Sequence, residues 1–419
     1  MDRFISDSIK LLITKLAGAF LSILASIVLT KLYGVDAFGI YALSLQIITI
    51  AATLANKGIN HWIVKYGLSI SIDSNYNKWF RKTNTDTNLR AFRISIILLL
   101  FFYLLNQFFP DKELYLFSIS LLTLPFFVRV LNYSSFYTGI KKAWFGNLFE
   151  GVLNNIIIVI ISLIIPITVR NLNEKVVLII LLITTYAILG ILITWSYKRS
   201  FKKIDNKEYS VQKIKDSTSN KELFSLTLTS QIIPTLIPLF VLLMISDEIL
   251  GIVNVLLKIC APITFIYFSI QRAVSPYIAE NYLNRDIKSI KNIFHKASFL
   301  SSIPGIIFSI IIYIFKQPIL EIYGLNTIEN SLLLNLIMIG FLINASTSIT
   351  SPMLIMCGEQ KKASYINMVG LISLGLLSFI FIHYFSIYGI GCSYICIPII
   401  LNIPKLLVIR NKFYRNANI

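Results

Sequence analysis

Six basic side chains interrupt runs of apolar residues: Lys15, Lys57, Arg129, Lys258, Arg272 and Lys405. Glu150, near the start of another run, is the one acidic counterpart. A charge at the centre of a membrane-length apolar helix costs about 2.5–3.5 kcal/mol on insertion scales, so it faces a bundle interior or water rather than lipid. An excess of such cations suits a ligand with phosphate or acidic sugar groups, since Lys acts as a point charge and Arg can bind bidentately. Lys258 and Arg272 lie about four helical turns apart and share a face. Lys15, Lys57, Arg272 and Lys405 also stand close enough to run ends for their stems to reach headgroups. For Lys258 and Arg129 the interior reading is preferred.

Other chemistries have weaker support. Cys392 and Cys396 are one helical turn apart, but neither a His nor a third thiol joins them. With Cys260 and Cys357 they read as small apolar core residues, not as a metal or redox site. His61, His295 and His383 are scattered and near run ends, which gives no catalytic constellation. No cofactor and no metal are expected. The Asn, Ser and Thr residues from Asn344 to Ser351, before Pro352, and those from Thr227 to Gln231, before Pro234 and Pro238, satisfy carbonyls freed by proline as readily as they bind sugar hydroxyls.

The elements that must position these residues follow from composition. Hydrophobic residues make up 56% and charged residues 14% of the 419, with a mean hydropathy of +0.75. A soluble domain carries roughly 25% charged residues. There is too little polar material here to cover the two or three soluble domains that this length would form. Residues 9–67 show the repeating design: two apolar runs of bilayer length around the short hinge KLYGVDAFG, where Gly34 and Gly39 permit a tight reversal. Twelve spans are expected, at about 9–30, 39–60, 91–109, 113–138, 147–169, 176–197, 222–245, 249–273, 297–315, 331–356, 364–384 and 388–409. The first run is too long, and too interrupted by Lys15, for a signal peptide.

The charges behind the net +18 cluster in the connections. With the N-terminus inside, the outer connections hold only Lys31, Lys112, Arg170, Lys175 and Lys316. The inner ones hold the great majority of the 38 Lys and Arg, which places both termini in the cytoplasm and argues against nucleic acid as a partner. The expected organisation is an N-terminal six-helix lobe (1–197), a basic cytoplasmic linker (198–221) and a C-terminal six-helix lobe (222–419). YGVDAFGIYAL around Asp36 can be laid on ISDEILGIVNV around Glu248, and GIKKAWFGNLFEG on GEQKKASYINMVG. Six spans per repeat keep the same orientation, so the lobes are expected to be related by a pseudo-two-fold axis along the membrane normal, a transporter architecture.

These features together resemble the polysaccharide-exporter flippases: the basic start, the hairpin ending LYGVDAFGIYAL, the GIKKAWFGNLFEG connection and twelve spans in two lobes. The Wzx-type O-antigen flippases belong to this group, within the multidrug/oligosaccharidyl-lipid/polysaccharide (MOP) exporter superfamily. The resemblance implies a non-enzymatic flippase of a bacterial inner membrane. It implies movement of an undecaprenyl-diphosphate-linked oligosaccharide, an O-antigen or capsule repeat unit, from the cytoplasmic to the periplasmic leaflet by alternating access. It also implies a central cationic cavity lined largely by the first two spans of each lobe. On that pattern Lys15, Lys57, Lys258 and Arg272 fall on lining helices, and Arg129 falls on the fourth span. Expected partners are the lipid-linked oligosaccharide, membrane lipids, and polysaccharide polymerase with chain-length machinery.

Two other classes compete. A cation-coupled drug or metabolite exporter of the same superfamily would place carboxylates in the membrane, whereas the balance here is basic. A membrane-embedded polysaccharide polymerase or transferase would need a nucleophile or an acid/base pair at a protected site, often with a large outer loop. The outer loops are short.

Overall fold

The structure, a computed structural model, describes residues 2–60, 63–64, 74–140, 142–168, 173–200 and 221–415. The described residues are helical almost throughout. They divide into two compact units, Met1–Phe224 and Ser225–Ile419.

Unit 1 begins with α1 (Asp2–Tyr33) and α2 (Val35–Asn56). The single residue between them, Gly34, has φ +85, and a Cβ there would stand 2.7 Å from Asp36 Oδ1. Only glycine takes that backbone conformation without strain. Gly39 plays no part in the reversal; it is buried within α2. Next comes α3 (Ser74–Phe108), which starts well before the expected span at 91. The sequence explains this extension: Asn77, Phe80, Asn84, Thr87 and Ala91 recur at spacings of three and four, and all are buried. Further along α3, Ile97, Leu100, Phe101, Leu104 and Phe108 are exposed, an apolar stripe suited to lipid.

The fourth span is composite. Helix α4 (Tyr115–Ser120) passes through the 3₁₀ turn Leu121–Thr123 into α5 (Leu124–Gly139). The fifth is also composite: α6 (Ala143–Asn147), a π-helical turn (Leu148–Leu153) and α7 (Asn154–Thr168). Helix α8 (Glu174–Ser200) closes the unit. Its Tyr197 packs with Phe80, Tyr133 and Phe136 at ring separations of 5.0–5.5 Å. Tyr197 also accepts a hydrogen bond from Asn77 Nδ2 at 2.6 Å. Asn132 Nδ2 donates to Asn84 Oδ1 and Thr87 Oγ1, at 3.1 and 2.8 Å, tying α5 to α3 through buried amides. Inter-helix hydrogen bonds of this kind replace the hydrophobic drive that lipid does not supply.

Unit 2 begins within α9 (Lys221–Met244) and contains α10 (Asp247–Leu283), α11 (Ile287–Ile314), α12 (Lys316–Ile322), α13 (Ile328–Thr347), α14 (Thr350–Met356) and α15 (Gln360–Arg410). Three side-chain caps set its helix starts. Ser246 accepts from the Ile249 amide, Asp286 from Ser289 and Thr327 from Asn330. Helix α15 covers two expected spans in 51 residues, and Ser386, at φ 48 and ψ −120, breaks it between them.

Ten helical segments among the described residues are long and apolar enough to cross a membrane. The last of them, Gln360–Phe413, contains the Ser386 break and so supplies two spans. Helix α10, with 37 residues, supplies another. The chain is therefore an all-α polytopic membrane protein with six spans in each unit. Of the expected linker, residues 198–200 end α8, Lys221 starts α9, and residues 201–220 lie outside the described residues.

Candidate functional site

Three of the expected ligand-facing cations lie in unit 1 and two in unit 2. Lys15 sits partly buried in α1, one turn before Gly18. At Gly18, α1 crosses the π-helical turn: a Cβ on Gly18 would stand 3.3 Å from Gly151 Cα. Asn155 Nδ2 bridges the crossing, donating to Gly151 O at 2.7 Å and Gly18 O at 3.2 Å. Glu150 lies in the first turn of the π segment, directly before Gly151. Lys15 and Glu150 thus flank one close helix crossing, an arrangement that linear spacing does not reveal. The widened π turn has no sequence signature beyond the Gly151 that lets the backbones meet, although such turns recur at functional sites.

Lys57 does not stand inside α2. It is the residue after the helix, left-handed at φ 46, with its amide donating to Thr53 O at 3.0 Å, and it is exposed. The expected span at 39–60 runs past this end. Arg129 lies mid-way along α5 and is partly buried.

In unit 2, Lys258 is partly buried in α10, two turns after the buried cluster 250–256 begins. Arg272 belongs to the same helix, but its side chain lies outside the described residues. Fourteen residues at 1.5 Å rise separate the two Cα atoms by about 21 Å. Sharing a face therefore does not place them on one phosphate.

Lys405 departs most from expectation. Instead of reaching toward headgroups it is 3% exposed, and its Nζ donates to Ser351 Oγ of α14 at 2.9 Å. One turn earlier on α15, Asn402 Nδ2 donates to Asn344 Oδ1 and Thr347 Oγ1, at 3.1 and 2.7 Å. Asn344 Nδ2 in turn donates to Tyr267 OH of α10 at 3.0 Å. Gln271 Nε2 donates to Ser348 O at 2.9 Å. The polar stretch from Asn344 to Ser351 therefore faces a second polar row on α15 and two side chains of α10. Only its count of polar residues was visible in the sequence.

The expected repeat motifs fall at equivalent places in the two units. Asp36 lies in the first turn of α2, and Asp247 and Glu248 lie in the first turn of α10, where the helix dipole favours an anion. GIKKA and GEQKKA each lie at the connection from fourth to fifth span. In unit 2 that connection is clasped. Lys412 Nζ donates to Glu359 Oε1, Cys357 O and Tyr282 OH, at 2.9, 2.9 and 3.2 Å. Lys362 meets the other Glu359 oxygen at 3.1 Å. The bond from Lys412, with that from Lys362, holds the Glu359 carboxyl below the usual carboxylate range. Among the described residues no group of His, Cys, Asp and Glu is arranged to hold a metal ion.

Comparisons with known proteins bear on this architecture. The family model described as "Polysaccharide biosynthesis protein" matches residues 4–282, and the MatE model matches residues 225–380. No curated protein matches. Among solved structures, an inward-facing multidrug resistance MATE family transporter of the MOP superfamily is 12% identical, with a TM-score of 0.72, covering 93% of this chain and 94% of its own. The lipid II flippase MurJ in an inward closed conformation is 15% identical, with a TM-score of 0.71, covering 97% of this chain and 87% of its own. A mutant of the Vibrio cholerae MATE transporter VcmN is 13% identical, with a TM-score of 0.66, covering 97% of this chain and 95% of its own. At these identities the likeness concerns the fold. With two-thirds of its length matched by one family model, the chain belongs to the polysaccharide biosynthesis protein family.

Proposed function

We propose that the chain is a flippase for an undecaprenyl-diphosphate-linked oligosaccharide, an O-antigen or capsule repeat unit. It carries that lipid from the cytoplasmic to the periplasmic leaflet of a bacterial inner membrane, with both termini in the cytoplasm. The observation that carries the reading is the charge balance within the spans: basic side chains on α1, α5, α10 and α15 against the single Glu150. A diphosphate offsets the cost of those cations when it enters, and water offsets it otherwise. Membership of a polysaccharide biosynthesis family supports a glycan cargo. Lys258, Arg129, Lys15, Lys57 and Arg272 form the proposed cationic lining, used by alternating access. Polysaccharide polymerase and chain-length machinery are proposed partners downstream of the flipped lipid.

An exporter of cationic drugs is the rival reading, favoured by the MatE match over 225–380. It requires intramembrane carboxylates, and the spans are poor in them. The deciding experiment is export of lipid-linked glycan at matched membrane protein levels. Lys258→Ala is expected to lower export at least tenfold, and Lys258→Arg to retain part of it because the charge remains. Lys202→Ala, in the basic linker, is the control and is expected to export normally. Normal export by Lys258→Ala, or an equal loss in Lys202→Ala, would discard the site.

A further inference from the structure

The buried end of α15 offers a site of a different kind from the partly exposed cations. Asn402 and Lys405 are three residues apart on one helix face, 6% and 3% exposed. Their partners, Thr347 and Ser351, are four apart, one ending α13 and the other starting α14. The two rungs are Asn402 to Thr347 at 2.7 Å and Lys405 to Ser351 at 2.9 Å. A buried ammonium normally has a carboxylate beside it. Here, among the described residues, no carboxylate lies within the 4.0 Å of an ion pair with Lys405. Helix α14 carries no acidic side chain, and the acidic residue of α13, Glu329, is in its first turn at the opposite end. On α15 the nearest charged side chain is Arg410, another cation. Beyond it Lys412 is occupied by Glu359.

The donor inventory points the same way. An ammonium has three N–H groups, and Ser351 takes one. Ser351 accepts in that bond, which leaves its own O–H to donate. Asn402 has spent both amide hydrogens, on Asn344 and Thr347. Tyr267 likewise accepts from Asn344, leaving its phenolic O–H to donate. Two N–H groups of the Lys405 ammonium are thus left without a side-chain partner among these bonds, in a region with a cation and no carboxylate within ion-pair distance. The complement is an acceptor that brings negative charge and no hydrogens.

We propose that Lys405 and Ser351, with Asn402 and Thr347 as the adjoining rung, form an anion site inside unit 2 that takes a phosphate oxygen. This inference rests on the flippase reading and adds to it a second contact for the diphosphate, separate from Lys258. The shared chemistry admits two sources, the lipid-linked diphosphate and a free inorganic diphosphate. Opening of α14 from α15 admits the anion, because the closed rungs leave Lys405 almost fully covered.

The test is the thermal shift of the purified full-length protein in detergent with two probes at constant ionic strength: farnesyl diphosphate and inorganic diphosphate. Wild-type protein is expected to gain several degrees with farnesyl diphosphate. Lys405→Met, which keeps the volume without the charge, is expected to need at least tenfold more probe for the same shift. Ser351→Ala is expected to need several-fold more and serves if Lys405→Met does not fold. A response to both probes assigns the site to phosphate in general, and a response to the farnesyl compound alone assigns it to the lipid. Wild-type concentration dependence in both variants overturns the proposal. Lys258→Ala separates the two ideas: if it weakens the response while Lys405→Met and Ser351→Ala do not, the flippase reading stands and the Lys405 site falls. If none of the variants changes the response, both fall.

Discussion

Charge at single residues is where sequence and structure diverge most. The six intramembrane cations look alike in the sequence, each a break in an apolar run. Their surroundings differ in ways set by contacts distant along the chain. Lys57 ends a helix and is exposed, whereas Lys405 is enclosed by α14, more than fifty residues earlier in the chain. Glu359 and Lys412 show the same limit, since GEQKKA announces basic character but not the clasp on Lys412. That clasp makes a prediction outside the spans. The Lys412 bond depresses the Glu359 carboxyl, so the folded state holds that proton less tightly than the unfolded chain. The stabilisation is complete above the ordinary Glu range near pH ~4.3 and is lost as pH falls through the lower folded value. Glu359→Gln is expected to lower stability by about 1–2 kcal/mol at pH 7. The difference from wild type is expected to shrink on acidification below pH ~4. A constant difference across that window, in thermal melts at stepped pH, would separate the clasp from the titration of Glu359.

At the scale of elements, much more was legible. Gly34 marks the hairpin because only its backbone reverses there, and the apolar runs place most helix ends within a few residues. What was missed was helix outside the expected spans: 74–90 of α3, the last ten residues of α10 and the first ten of α11. These segments are too polar to register as spans, and their amphipathic spacing is hidden among charges. Close helix contacts were also invisible. A Cβ on Gly340 of α13 would stand 2.8 Å from the carbonyl carbon of Tyr394 in α15, so those backbones pack with no room for a methyl group. Gly340→Ala is expected to destabilise by about 1–3 kcal/mol, the usual range for overpacking. Gly375→Ala, on the same α15 but with nothing within 4 Å, is the contrast and is expected to be neutral or slightly stabilising. Equal melting temperatures for the two variants would show that α13 and α15 adjust freely at this contact.

For the whole molecule, the strongest signal is the alternation of charge between connections. It sets the expected direction without any knowledge of packing, because basic loops resist translocation whatever the helices later do. In the connections expected to lie outside, the structure adds acids beside one of the sparse cations. Lys175, at the start of α8, bonds Glu113 at 2.7 Å and lies 4.0 Å from Asp36, so three connections of unit 1, all expected on the outer side, converge on one ammonium. Lys112 lies in the 3₁₀ turn just before Glu113, and Lys316 opens α12. Inner connections such as 285–296 have no comparable density of acids. The span count between two points therefore becomes a topological statement. From the linker to Thr327, the N-cap of α13, the chain passes α9, α10 and α11, an odd number of crossings. Cysteines at Asp205 and Thr327 of a cysteine-free variant are expected to react with an impermeant maleimide from opposite sides, Asp205 from the cytoplasm and Thr327 from the periplasm. Labelling of both from one side would remove a crossing from unit 2. If the lost crossing were α10, which carries Lys258 and Arg272, those charges would be withdrawn from any path through the membrane.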